Sequence, residues 1–253
     1  MLKKMRQEEY IEAWNNNAKQ HFDDGDYEWI CDQISQYGNV LEIGCGSGYS
    51  TLVLVLRDHK VLSVDVNAEA LRRTKELIIK NDYEAEIVTT SIEFDFFDAW
   101  LWNIDAVGNK ESLIQVVNQL PIDLILLCNP GGNLEPNLRV NEANLLEQYG
   151  FSQDEINQNY RNGMIHLLHK FSLIDAAADI AIKSDKPLLI VERGSRNQVK
   201  EILDQIESDT HMRKVLNAFR EIRCEPEDGI ILGDVDGNKE KSLFWGAGMF
   251  FPR

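Results

Sequence analysis

The stretch Val40-Leu41-Glu42-Ile43-Gly44-Cys45-Gly46-Ser47-Gly48 decides the fold. An apolar run leads into three alternating glycines, which allow a tight backbone turn and let a ligand approach the main chain. A helix predicted to begin after this turn directs its unpaired N–H groups at the same ligand. A second apolar run ends in Asp65, about twenty residues further on, where an acid can accept hydrogen bonds from a ribose. Tyr49 stands where a dinucleotide fingerprint has its last glycine, so the pattern favours a nucleoside ligand over a dinucleotide.

These residues resemble motif I of the class I S-adenosylmethionine-dependent methyltransferases, E/D-x-G-x-G-x-G. The resemblance implies S-adenosylmethionine as cofactor and an α/β fold: a doubly wound, mostly parallel, seven-stranded Rossmann-like sheet that ends in an antiparallel β-hairpin. It also implies that the glycines run beneath the methionine part of the cofactor and that the acid after the second strand binds the ribose. The cofactor-binding residues expected on this basis are Glu42, Gly44, Cys45, Gly46, Gly48, Asp65, Val66, Ser91, Ile92 and Asn129.

The adenine contacts are expected after the third strand, where the family often has an acid beside the adenine amino group. In this sequence Ser91 stands where that acid is expected. The resemblance then leaves the backbone N–H of Ile92 and the Ser91 hydroxyl as adenine contacts, with Glu93 as an alternative.

Apolar runs and helical patterns alternate along the chain, as is typical of parallel strands covered on both faces. Strands are predicted at 39–43, 60–65, 85–90, 122–128 and 187–192, and an antiparallel hairpin at 229–233 and 241–250. Helices are predicted at 8–35, 48–57, 67–81, 109–120 and 195–207. We expect an N-terminal helical cap over 1–36 and a cofactor-binding domain over 37–253. A helical insertion after strand four, 133–184, is interpreted as a substrate lid or as additional packing helices.

The end of the fourth strand, Asn129-Pro130-Gly131-Gly132, resembles motif IV of methyltransferases that act on nitrogen, (D/N)-P-P-(Y/F/W). The resemblance implies that Asn129 and Pro130 orient a target amino group. Gly131 and Gly132 depart from the motif, which argues against a nucleobase target, and the same four residues also suit a simple turn. If the acceptor must lose a proton, His166 is the predicted base, with His169 and His21 as alternatives.

The composition limits the partners. The net charge is −16, from 26 basic and 42 acidic residues, so nucleic acid is disfavoured as the main substrate and a small molecule or a protein is favoured. The four cysteines form no C-x-x-C pair, and the acids of 234–240 lack the glycine position of a calcium loop, so no metal is expected. No apolar stretch suits a membrane span and no signal segment is recognised, which predicts a cytoplasmic protein.

Two functions from different classes remain open. The first is a methyltransferase that acts on a small molecule or a protein side chain, with nitrogen slightly preferred to oxygen as the acceptor. The second is a non-catalytic S-adenosylmethionine-binding sensor or scaffold module, because the glycine motif supports cofactor binding in both cases. A nicotinamide oxidoreductase is disfavoured by Tyr49 and by the predicted C-terminal hairpin. The oligomeric state is not indicated by the sequence.

Overall fold

The computed structural model describes residues 7–88, 98–128, 158–222 and 243–253. The strands are β1 Asn39–Ile43, β2 Lys60–Asp65, β3 Ala85–Val88, β4 Ala99–Asn103, β5 Leu124–Cys128, β6 Leu188–Gly194, β7 Met212–Ile222 and β8 Leu243–Pro252. The helices are α1 Gln7–Asp23, α2 Asp26–Asp32, α3 Tyr49–Leu56, α4 Ala68–Lys80, α5 Lys110–Gln119, α6 Gln158–Ser184 and α7 Arg196–Asp209. None of the helices in these ranges is long and apolar enough to cross a membrane.

One sheet contains all the described strands, in the order β3-β4-β2-β1-β5-β6-β8-β7. The pairs from β3 to β6 are parallel, whereas β8 runs antiparallel to both β6 and β7. The predicted fold class is therefore confirmed: a mostly parallel sheet that ends in an antiparallel hairpin.

The sheet has eight strands rather than the predicted seven. The additional strand, β4, comes from an aromatic segment in which Trp100 and Leu101 are buried. A short, continuous apolar run of this kind is a strand covered on both faces. It lies between β2 and β3 in the sheet, so β3 becomes the outer edge.

The first arm of the C-terminal hairpin is β7, and the prediction of 229–233 for that arm was wrong. β7 pairs with β8 along most of its length, from Met212 opposite Pro252 to Ile222 opposite Leu243. Charged residues such as Arg213 and Arg220 interrupt its apolar pattern because β7 is an edge strand with an exposed side. Residues 229–233 themselves lie outside the described residues.

The predicted N-terminal helix at 8–35 is divided into α1 and α2 by a turn at Gly25. This glycine has φ +72°, in the left-handed region that other residues rarely adopt. The turn brings His21, in the last turn of α1, beside Asp26, the first residue of α2. Both side chains are buried.

Apolar residues cover both faces of the sheet. One face packs against α5, α6 and α7, and the other packs against α2, α3 and part of α4. Ile174, Ala177 and Ile180 of α6 belong to the first of these cores, so this part of the predicted 133–184 insertion is a packing helix. For the rest of 133–184, of which residues 133–157 lie outside the described ranges, the substrate lid stays a prediction, as does the division into cap and domain.

Candidate active site

The glycine loop, residues 44–48, connects β1 to α3. Its glycines have positive φ: +82° at Gly44, +54° at Gly46 and +83° at Gly48. A Cβ atom added at Gly44 would meet no atom within 4 Å, so the space beside this residue is open to a ligand. At Gly48 an added Cβ would lie 2.6 Å from Thr74 Oγ1 and 2.8 Å from Thr74 Cα. Gly44 thus leaves room for a ligand, whereas Gly48 lets α4 pack against the loop.

Asp65 holds the glycine loop in place from the end of β2. Its Oδ2 accepts a hydrogen bond from the Gly46 N–H at 3.0 Å, and its Oδ1 accepts one from the Asn67 N–H at 2.8 Å. Because a carboxylate oxygen can accept more than one hydrogen bond, these contacts are compatible with the predicted ribose contact. Val66, also predicted to contact the cofactor, follows Asp65 directly and is exposed.

Glu42 is fully buried beneath the loop. Its carboxylate accepts hydrogen bonds from Thr51 Oγ1 at 2.6 Å, from Ser63 Oγ at 2.7 Å and from Ser50 Oγ at 2.5 Å. These bonds join β1 and β2 to the first turn of α3. Glu42 therefore supports the loop through hydroxyl groups, and its predicted contact with the cofactor stays a prediction.

The strand beside β2 is β4, which changes where the adenine contact is expected. Asn103, the last residue of β4, pairs with Asp65, and its Nδ2 donates to the Asp65 carbonyl oxygen at 3.0 Å. Asp105 follows two residues later at the same edge of the sheet. Asp105 is therefore a second candidate for the adenine-binding acid that the resemblance implies, beside the predicted Ser91. Ser91 and Ile92, predicted from the strand at 85–90, lie outside the described residues.

A cleft of about 470 Å³, its open mouth included, lies above the glycine loop. Its lining residues come from the glycine loop, from α1, α2 and α3, from the carboxyl ends of β5 and β6, and from β8: Asn17, Ala18, His21, Tyr27, Gly44, Cys45, Gly46, Ser47, Tyr49, Ser50, Cys128, Arg193 and Trp245. The structure thus places Gly44, Cys45 and Gly46 in the cleft, and their contact with the cofactor stays a prediction. Cys128 ends β5, and the predicted residues Asn129 and Pro130 follow it outside the described ranges.

The two cysteines of the cleft are uncharged. Burial raises the pKa of the Cys45 thiol well above its usual range, and the charge of Asp65 raises it further. Burial also raises the pKa of Cys128, with the charges of Glu42 and Glu192 acting in the same direction. A thiol in this state is a poor nucleophile, so neither residue suits covalent catalysis.

His21, Arg193 and Trp245 line part of the cleft. Together with Asp26, which contacts His21, and Arg220, which contacts Asp26, they form a group that we define as the polar wall. His21 Nδ1 lies 2.8 Å from Asp26 Oδ2, and His21 Nε2 lies 2.9 Å from Arg193 Nη1. Arg220 Nε lies 2.9 Å from Asp26 Oδ1. Both ring nitrogens of His21 are therefore engaged, and this histidine does not present the open base position considered from the sequence.

Sequence analysis missed most of the polar wall. Arg193 and Trp245 lie at paired positions of β6 and β8, and only this pairing brings them to the cleft. In the sequence, the one local signal for this wall was the pair of charged residues, Glu192 and Arg193, at the end of an apolar strand. The backbone of α6 includes His166 and His169, whose side chains lie outside the described part, so their roles stay predictions. No group of three metal-ligating side chains occurs within the described ranges.

The family of this chain is shown by its match to a known family model. A family model described as Protein-L-isoaspartate(D-aspartate) O-methyltransferase matches residues 19–166, more than half of the chain. The chain belongs to this family. Membership confirms the methyltransferase class and the S-adenosylmethionine cofactor that motif I indicated. The open space at Gly44 and the acid at the end of β2 fit such a cofactor. The matched range contains the glycine loop and His21 but ends before Arg193.

A curated relative, the protein-L-isoaspartate O-methyltransferase of Ectopseudomonas mendocina (strain ymp), is 32% identical over 120 residues. The match covers 45% of this chain and spans about half of the relative, 54% of its length. Among solved structures, a SAM-dependent methyltransferase from Agrobacterium tumefaciens is similar over 92% of this chain and 62% of its own, with 14% identity and a TM-score of 0.48. Magnesium protoporphyrin IX methyltransferase from Synechocystis PCC 6803 is similar over 96% and 84%, with 10% identity and a TM-score of 0.45.

Proposed function

We propose that this protein transfers a methyl group from S-adenosylmethionine to a carboxylate oxygen of an isoaspartyl residue in a protein or peptide. The observation that carries the proposal is the family match over residues 19–166, which takes in the glycine loop, Asp65 and the strand end at Cys128. The description of the curated relative names the same kind of acceptor. Support for a nitrogen acceptor rests on Asn129 and Pro130 alone, so oxygen becomes the preferred acceptor.

A carboxylate acceptor suits the chemistry of the cleft. When bound, S-adenosylmethionine supplies an electrophilic methyl group, which passes to the acceptor oxygen as its bond to sulfur breaks. A carboxyl group with an ordinary pKa of about 4 is already ionised at neutral pH, so the nucleophile needs no general base. This agrees with His21, whose ring nitrogens both contact protein side chains.

The protein then contributes mainly position and exclusion of water. Asp65 and Gly46 hold the loop in one conformation, which fixes where the cofactor binds. Apolar groups of Ala18, Tyr27 and Trp245 line the cleft on the other side. Removing water strengthens the attraction between an acceptor carboxylate and the positive charge of the methyl donor, and a fixed orientation lowers the entropic part of the barrier.

A matched pair of peptides tests the proposal. One peptide contains an isoaspartyl residue and the other an aspartyl residue in the same sequence. We expect S-adenosylhomocysteine to form with the isoaspartyl peptide and not with its partner. The product is a methyl ester, so mild alkali should release methanol. Asp65→Ala should abolish turnover by weakening cofactor binding, whereas the exposed Glu201→Ala on α7 should leave it unchanged.

The outcomes separate the alternatives. A methyl group that survives alkali on the peptide would indicate a nitrogen acceptor and contradict the proposal. If S-adenosylhomocysteine raises the melting temperature but neither peptide is methylated, the non-catalytic binding module is favoured instead. A ligand at one hundred times its dissociation constant stabilises the native state by about 2.7 kcal/mol, which is readily measured.

A further inference from the structure

Hydrogen-bond geometry assigns the protonation of His21. A guanidinium group has only N–H donors, so the contact of 2.9 Å between Arg193 Nη1 and His21 Nε2 requires Nε2 to accept. The ring proton then lies on Nδ1 and is donated to Asp26 Oδ2 at 2.8 Å. His21 is therefore neutral in this arrangement. The Trp245 ring meets it edge-on, with centroids 5.2 Å apart, and limits its rotation.

The acidic member of the polar wall is already paired. Asp26 is 2% exposed and receives Arg220 Nε on its Oδ1 as well as His21 on its Oδ2. Glu192, the neighbour of Arg193 along the chain, receives Lys170 Nζ at 2.7 Å. Neighbouring side chains of a strand point to opposite faces of the sheet, so Glu192 and Arg193 are separated by it.

Arg193 is thus a half-buried cation whose contacts are neutral. Among the described residues, its Nη1 contacts His21 Nε2 and Asn17 Oδ1, the latter at 3.4 Å. Within residues 7–88, 98–128, 158–222 and 243–253, no carboxylate lies within ion-pair distance of Arg193. A guanidinium removed from water without an anion is unfavourable, and carboxylates are its preferred partners.

A second donor lies beside it. Trp245 pairs with Arg193 across β6 and β8, lines the same cleft and is 2% exposed. Its Nε1–H is buried and has no hydrogen-bond partner in the part of the chain that the structure describes. A buried donor left unpaired is costly, and beside a guanidinium whose contacts are neutral it favours an acceptor with negative charge.

We propose that Arg193, held in position by neutral His21, is the carboxylate-binding residue of the cleft, with Trp245 as a second donor. Both reactants carry a carboxylate that Arg193 could bind: the amino-acid end of the cofactor and the isoaspartyl acceptor. For the second of these ligands, the isoaspartyl acceptor, the proposal rests on the proposed function. Arg193 and Trp245 lie outside the matched range 19–166, whereas His21 lies within it.

Calorimetric titration with two ligands tests the proposal without turnover. S-adenosylhomocysteine carries the carboxylate, whereas 5′-methylthioadenosine shares the adenosine and thioether but lacks the amino-acid end. If Arg193 binds the cofactor carboxylate, Arg193→Met weakens S-adenosylhomocysteine by about tenfold to a hundredfold and leaves 5′-methylthioadenosine unchanged. Arg193→Lys should recover only part of the affinity because it keeps the charge and loses the fork of donors. Arg196→Met, an exposed change three residues away, is the matched control.

If Arg193 instead binds the acceptor carboxylate, the titrations give a different result. Arg193→Met then leaves both dissociation constants unchanged and raises the KM for the isoaspartyl peptide by about tenfold to a hundredfold. If neither the dissociation constants nor this KM changes, the proposal is wrong. Should the wild-type protein fail to methylate the peptide, the proposed function fails, and an unchanged dissociation constant for S-adenosylhomocysteine is then sufficient to overturn the anchor as well.

Two further variants test the supporting residues. His21→Gln keeps one acceptor and one donor, whereas His21→Leu keeps neither, so affinity or KM should be lost in the leucine variant and largely restored in the glutamine variant. Trp245→Phe keeps the ring and removes the N–H, with an expected loss of about twofold to tenfold in the same quantity. Equal binding by the leucine and glutamine variants would show that His21 does not position Arg193.

Discussion

The glycine loop and the polar wall both contribute residues to one cleft, and they are built in opposite ways. The loop is held by contacts that are close in sequence, such as Gly46 to Asp65, 19 positions apart. The wall joins residues that are distant in sequence, and its contact between His21 and Arg193 spans 172 positions. The loop offers main-chain groups in a fixed conformation, whereas the wall offers charged and polar side chains.

This difference predicts which substitutions should alter the stability of the native state and which should alter ligand binding in the cleft. Positive φ values and a close helix contact define the loop, so a larger side chain there strains the native state itself. Hydrogen bonds between side chains define the wall, so an isosteric change there alters what the cleft binds. Four predictions test this contrast, in order of decreasing effect.

The largest effect is expected at Gly48. Gly48→Ala places a Cβ 2.8 Å from the Cα of Thr74 at φ +83°, so backbone must shift. Left-handed strain and overpacking together should lower the free energy of unfolding by about 2–5 kcal/mol. Gly44→Ala is the control, since it has the same strain and open space, with an expected loss of about 1–2 kcal/mol. Urea denaturation measures both, and equal losses would contradict the packing role of Gly48.

The polar wall should lose less stability when its buried acid is neutralised. Asp26→Asn leaves Arg220 without its carboxylate, and Arg220 is 34% exposed, so water replaces part of the lost interaction. We expect a loss of about 1–3 kcal/mol in the free energy of unfolding. The exposed Asp24→Asn should change it by less than about 0.5 kcal/mol. A loss at Asp26 no larger than that at Asp24 would show that the wall adds nothing to stability.

The third prediction concerns which residue binds the adenine amino group of the cofactor. If the acid after β4 binds the adenine amino group, Asp105→Asn should raise the dissociation constant of S-adenosylhomocysteine by about threefold to tenfold. Ser91→Ala should leave it unchanged. Calorimetry measures both constants, and the reverse ranking would restore the assignment to Ser91 and Ile92.

Cysteine reactivity gives the smallest effect. Burial raises the pKa of Cys31 to about 12 and raises the pKa values of Cys45 and Cys128 as well, so little thiolate forms at pH 8. Native protein should therefore be alkylated slowly at these three residues, and S-adenosylhomocysteine should slow Cys45 and Cys128 further without affecting Cys31. Mass spectrometry after timed iodoacetamide treatment resolves each site, with urea-unfolded protein as the reactive reference. Rapid modification of native Cys45 would contradict the burial and the raised pKa of this thiol.

Much of the fold could be predicted because its signals are local. β1, the glycine turn, β2 and the cap of α4 at Asn67 each follow from a few adjacent residues, and Asn67 does accept from the Glu69 and Ala70 N–H groups. β4 and β7 could not be assigned in this way. An apolar aromatic run does not reveal which strand it pairs with, and an edge strand with charges on one side has a weak apolar pattern.

The candidate site follows the same division. The glycine loop, the acid at the end of β2 and hence the cofactor could be recognised from the sequence, because backbone conformation and strand ends depend on neighbouring residues. The position of Arg193 and Trp245 beside His21 could be seen in the tertiary structure alone. That placement depends on the antiparallel pairing of β6 with β8 and on the turn at Gly25, and no local pattern encodes contacts between residues so far apart along the chain.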